Sequence, residues 1–133
     1  MRRHILLGYQ ILTGLSDAGT GLLLVFAPAL TLHLMKLHVA PEAMPFLSYV
    51  GVFVLSVGIA CVYGATVIDR PEKIEVVWLL TALTRTLVAA FVLAEIASGT
   101  LEPGWITVAI TDALFASIQA VGLAKGWLRH VER

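Results

Sequence analysis

The sequence predicts an all-α fold, a four-helix antiparallel transmembrane bundle with a short outer interfacial helix after the first span. Three observations predict it. Four apolar stretches, at about 5–27, 46–68, 74–97 and 105–128, occupy nearly all of the 133 residues, and a spanning helix needs roughly 20 predominantly apolar residues. Only 14% of the residues are charged, against about 25% in a typical soluble domain. The mean hydropathy is +0.90. Residues 1–133 therefore read as one four-span membrane domain, with no room for a soluble one.

The first span follows a basic start, Met1-Arg2-Arg3-His4, and stops near Pro28. Its apolar run exceeds the roughly 7–15 residues of a signal-peptide core, so the segment is expected to be kept. Ala29 to His38 is apolar but broken by His33, Lys36 and His38, the pattern of a short helix lying at the outer interface. Pro41 and Pro45 bracket the turn into the second span. The loop Asp69-Arg-Pro-Glu-Lys73 is short and mixed in charge, which predicts the second and third spans as antiparallel neighbours. Ser98 to Gly104 is a tight outer turn before the fourth. No loop is long enough to hold a folded soluble site.

The basic residues orient the bundle. Arg2, Arg3, Arg70, Lys73, Lys125, Arg129 and Arg133 lie at the termini or in the second loop, and only Lys36 lies in the first. Short loops rich in Lys and Arg stay cytoplasmic, so both termini are expected on the cytoplasmic side of the cell's inner (plasma) membrane. Tyr9, Tyr63, Trp78 and Trp127 fall near inner helix ends, and Tyr49 and Trp105 near outer ones, which fits interfacial aromatic belts. On the second span Ser56, Ala60 and Gly64 repeat at fours, a small-residue ridge suited to close helix approach.

The ninth basic residue, Arg85, stands at the midpoint of the third span. An Arg at that depth costs about 2.5–3.5 kcal/mol on insertion scales, so a carboxylate partner is expected. Asp17, about twelve residues into the first span, and Asp112, about seven into the fourth, are available. The depth offset from Arg85 to Asp112 is roughly 10 Å or less. Each charge belongs to a polar stripe: Gln10, Thr13, Asp17 and Thr20 on the first helix, Trp78, Thr81 and Arg85 on the third, Trp105, Asp112 and Gln119 on the fourth. Polar stripes in a bilayer face protein or a water-filled cavity. Thr13, Asp17, Thr81, Arg85, Asp112 and Gln119 are thus the candidate ligand- or proton-binding residues, with Glu95, nearer the outer end of the third span, either snorkelling or lining a cavity mouth. The same network can also serve only to fix helix register.

The remaining chemistry-bearing residues point to no cofactor. His4 and His130 flank basic termini, and His33 and His38 are five apart, which is not same-face spacing on a helix. Haem or chlorophyll ligation by His33 or His38 is not expected. The lone Cys61 offers no disulfide or zinc spacing and reads as a small packing residue. No Gly-x-Ser-x-Gly, His-Glu-x-x-His or phosphate-loop motif occurs, so no catalytic residue is assigned. With no exposed basic surface beyond the inner rim, nucleic acid is not an expected partner.

Gly14-Leu-Ser-Asp-Ala-Gly19, Gly51-Val-Phe-Val-Leu-Ser-Val-Gly58, Leu83-Thr-Arg85 and Ile110-Thr-Asp-Ala113, with the charged N-terminus and a first span ending in Pro, resemble the layout of the small four-helix proteins grouped as DoxX-like. The resemblance covers most of the chain. It implies the four-helix fold and an association with a quinone or a redox partner, and it carries over no catalytic residue. The leading functional expectation is a non-catalytic accessory subunit of a larger respiratory or photosynthetic membrane complex. Its partners would be lipid and other membrane subunits or further copies, and it could line a quinone or lipid site. The alternatives are a small proton-coupled transporter using Asp17 and Asp112, or a membrane enzyme acting on an isoprenoid-like lipid.

Overall fold

The computed structural model describes residues 3–131; Arg2 and Arg133, both counted in the expected basic rim, lie outside them. The described residues form helices and turns with no strand: α1 (Arg3–Phe26), α2 (Pro28–Met35), α3 (Met44–Thr66), α4 (Pro71–Ala97) and α5 (Ile106–Ala124). Single 3-10 turns, Pro41–Ala43 and Pro103–Trp105, lead into α3 and α5. Proline starts α2, α4 and both 3-10 turns, where its missing N–H and fixed φ are harmless.

Helix ends follow from backbone chemistry. At Lys36, Gly99 and Gly126 the chain turns left-handed (φ 57°, 79° and 65°). In each case the next N–H reaches back five residues to a helix carbonyl: Leu37 to Leu32, Thr100 to Glu95, Trp127 to Gly122. These are Schellman closures. The last of them ends α5 at Ala124, four residues short of the apolar stretch that continues to Leu128.

Pro41–Thr66, Pro71–Ala97 and Pro103–Ala124 are each long and apolar enough to cross a membrane. Their most apolar windows are only 22%, 39% and 22% buried, and residues such as Leu79, Leu83, Leu87, Phe91, Ile110 and Leu114 face outward. Such outward apolar faces suit a lipid bilayer. At 24 residues α1 is equally long, but Gln10, Thr13, Ser16, Asp17, Thr20 and its glycines make it less apolar than those three.

The helices associate as two antiparallel pairs, α1 with α3 and α4 with α5. α3 and α4, joined by a short loop, are in contact as expected of neighbours, but each packs far more extensively against its own pair partner. Glycine decides the pairing. A Cβ on Gly14 would come within 2.9 Å of Val62 N, one on Gly51 within 2.6 Å of Leu24 Cβ, and one on Gly58 within 2.8 Å of Ala18 Cα. Leu55 and Val62 on α3 fill the space left by Gly21 and Gly14 on α1, and Gly51 and Gly58 on α3 leave room for Leu24 and Ala18.

Between the pairs, large side chains hold the backbones apart. At the end bearing the N-terminus and the α3–α4 loop, Leu6, Ile68, Ile74, Trp78 and Leu128 form one apolar cluster. At the opposite end Leu24, Leu32, Leu37 and Leu47 form another, with Trp105 packed against it. Trp78 is not an interfacial ring: it is fully buried, and its indole N–H donates to Gln10 Oε1 at 2.9 Å. That bond removes its need for interfacial water.

Candidate functional site

The polar residues occupy the seam between the two helix pairs, midway between the apolar clusters. Arg85 lies fourteen residues from the start of α4 and twelve from its end, and it is 2% exposed. Its Nη1 donates to Asp112 Oδ1 at 2.9 Å, and its Nη2 donates to Asp17 Oδ2. One cation on α4 thereby ties α1 to α5. The guanidinium carbon also sits 5.0 Å from the centre of the Phe115 ring, within cation–π range. The Asp17 and Asp112 side chains keep 16% and 18% of their surface exposed. With both carboxylates ionised, the group carries one net negative charge.

A neutral polar layer lies next to this triad. Gln119 Nε2 donates to Thr81 Oγ1 at 2.8 Å, and the Thr81 hydroxyl donates to Val77 O at 2.7 Å. Gln10 Nε2 donates to Cys61 O at 3.0 Å, and the Thr13 hydroxyl donates to Tyr9 O at 2.9 Å. Gln10, Thr13 and Gln119 are fully buried. Of the sequence candidates, the structure brings Asp17, Arg85 and Asp112 into direct contact and sets Thr13, Thr81 and Gln119 beside them. Glu95 stands apart, ten residues farther along α4, which is about 15 Å of rise.

The ridge of Ser56, Ala60 and Gly64 is divided. Gly64 is buried, and a Cβ there would strike the Gln10 side chain and lie 3.0 Å from Ile74 Cδ1. Ser56 is exposed and donates to its own helix at Val52 O, while Ala60 is half-buried. His33 is exposed. The His38 side chain is almost fully exposed and lies 3.5 Å from Glu102 at the outer turn. Among the described residues no group of three or more His, Cys, Asp or Glu is arranged to hold a metal ion.

Tyr9, Trp78 and Phe115 form an aromatic frame beside the polar layer, and Phe115 is the ring that neither the polar stripes nor the interfacial belts mark. The Tyr9 ring sits 5.3 Å from Trp78 and edge-on to Phe115 at 6.0 Å, and its hydroxyl donates to Phe115 O at 3.2 Å. Spacing carries the missed signal: Phe115 is three residues after Asp112 and four before Gln119, so all three share a face of α5. At the terminal end, Arg3 donates to both Asp69 oxygens at 2.9 and 3.0 Å, and Arg129 donates to Glu75 at 2.7 Å. These hydrogen bonds raise both guanidinium pKa values above the ordinary one and clasp the rim. Compared with known proteins, the chain matches no family model, no curated protein and no solved structure.

Proposed function

We propose that this chain is a four-span inner-membrane protein, both termini cytoplasmic, that takes up and releases a proton at Asp17, Arg85 and Asp112 as a small proton-coupled carrier. One observation carries the reading. A single Arg is shared by two partly exposed carboxylates, on the seam where two separately packed helix pairs meet. A net negative charge at mid-depth is costly, and a proton is the smallest ligand that neutralises it. Protonating either Asp would also loosen one of the two bonds that tie α4 to α1 and α5, coupling occupancy to the seam. Support for α1 as a span comes from its length, about 36 Å at 1.5 Å per residue, and from its inward-facing Gln10 and Thr13. The orientation rests on Arg3, Arg70, Lys73, Lys125 and Arg129 at one end, against Lys36 at the other.

Carbodiimide labelling tests it. Dicyclohexylcarbodiimide, applied to the protein in lipid vesicles, should modify Asp17 or Asp112 increasingly as pH falls, with the adduct located by mass spectrometry. Vesicles in which neither residue is labelled at any pH, while Glu95 is, would refute the assignment.

A second reading keeps the accessory subunit. Its support is the outward face of Ser56, with Leu30 (51% exposed) and Leu34 (64%) on α2. The resemblance to DoxX-like proteins adds a quinone or redox partner to it. The division of the ridge, with Gly64 committed inside the chain, ranks it second. Co-purification of fixed partners from native membrane in gentle detergent would move it to first.

A further inference from the structure

Two polar atoms in the seam are buried without a hydrogen-bond partner among the described residues: Arg85 Nε and Gln119 Oε1. Arg85 is 2% exposed and Gln119 0%, so bulk water reaches neither. One is solely a donor and the other solely an acceptor. A buried group left unpaired costs about 1–3 kcal/mol, and more when charged.

Neither atom can relieve itself by turning. Both terminal nitrogens of Arg85 are committed to Asp112 and Asp17, and the guanidinium lies over Phe115. The Thr81 hydroxyl gives its hydrogen to Val77 O, so it can only accept from Gln119, which must present Nε2 to it. Flipping the Gln119 amide would exchange one unpaired atom for another. Cys61 lies close enough to interact with the Arg85 guanidinium, but a thiol is a weak acceptor and Nε itself is left without a hydrogen-bond partner. Arg85 is one turn beyond Thr81 on α4, about 6 Å of rise, and Gln119 is bonded to Thr81. Arg85 and the Thr81–Gln119 contact thus stand one helical turn apart along α4, on the seam between the two helix pairs.

We infer that Arg85 Nε and Gln119 Oε1 are the two poles of a binding position for one hydroxyl-type oxygen, which accepts from the first and donates to the second. The polarity selects the chemistry. A carbonyl oxygen could satisfy Arg85 but would leave Gln119 unpaired, and an ammonium would be repelled by the guanidinium. A hydroxyl serves both. Its source is a buried water, of the kind that pairs polar groups inside proteins, or the head of an apolar alcohol reaching in from the bilayer. The site rests on these two atoms and is independent of whether the carboxylates exchange a proton.

A structure of the full chain grown from a lipid mesophase, at a resolution that shows ordered water, tests this. An isolated peak at hydrogen-bond distance, about 2.7–3.2 Å, from both atoms supports the site with water as its occupant. Crystals equilibrated with dodecanol in which that peak joins a chain of density support it with the alcohol. Gln119→Leu should lose the peak entirely while keeping both Arg85–Asp contacts; a peak that persists overturns the assignment. Should that variant not fold, the wild-type map decides alone. No oxygen bridging the two atoms, or Nε paired to Cys61 and Oε1 to a protein donor, overturns it as well.

Discussion

At the residue scale, Arg85, the charged side chain buried among the described residues, is the most informative. Removing it alone strands two carboxylates in the seam, and breaking a buried ion pair from one side costs about 3–5 kcal/mol. Arg85→Leu should therefore lower unfolding stability in detergent by that order. The triple change Arg85→Leu, Asp17→Asn and Asp112→Asn should recover most of the loss, because no unpaired charge remains. Equal melting losses in the single and triple variants would show that packing around the guanidinium, not charge, sets the cost. This centre was legible in the sequence because a charge within an apolar run has few places to go. Trp78 was marked by the α4 polar stripe it shares with Thr81 and Arg85, but Phe115 was not legible, since an aromatic ring in an apolar helix reads alike whether it faces lipid or protein. Its full burial and its hydrogen bond to Gln10 on α1 place Trp78 inside and not at the membrane interface.

At the element scale, the α1–α3 pair is a glycine seam. Gly14 and Gly21 on α1 are seven apart, as are Gly51 and Gly58 on α3, the spacing of a left-handed helix crossing. A methyl added at Gly21 would lie 2.6 Å from Leu55 Cα, and one at Gly58 within 2.8 Å of Ala18 Cα. Backbone cannot move aside as a side chain can. Gly21→Ala and Gly58→Ala should each destabilise by about 1–3 kcal/mol, the usual range for overpacking. Gly8 and Gly19 have nothing within 4 Å, so alanine there should be neutral or raise stability by up to about 1 kcal/mol through helix propensity. Thermal unfolding of the four variants separates the two groups, and similar shifts in all four would dismiss the seam. The sequence displayed small residues at fours on the second span, Ser56, Ala60 and Gly64, as readily as glycines at sevens. Which set is used depends on the partner helix. That α1 carries a matching pair of glycines is visible only when the two helices are considered together.

At the scale of the whole molecule, the all-helical composition and the helix boundaries followed closely from apolar length, proline and turn chemistry. The grouping into two pairs did not, because a short loop fixes proximity without fixing which faces meet. The pairing matters for the proposed function, since it puts the charge triad where the two helix pairs meet. The proposed orientation adds a prediction. A reporter fused after Arg133 should be active only in its cytoplasmic mode, and activity in the opposite mode would reverse the topology. Exchange of a proton at the triad is the centre of the account. Infrared difference spectra of the protein in lipid bilayers, recorded while pH is stepped, test it most directly. The account predicts a protonated-carboxyl band that appears on acidification, vanishes in Asp17→Asn/Asp112→Asn and survives in Glu95→Gln. A spectrum with no carboxyl change while the helices stay folded, or the same band in the double variant, would contradict it.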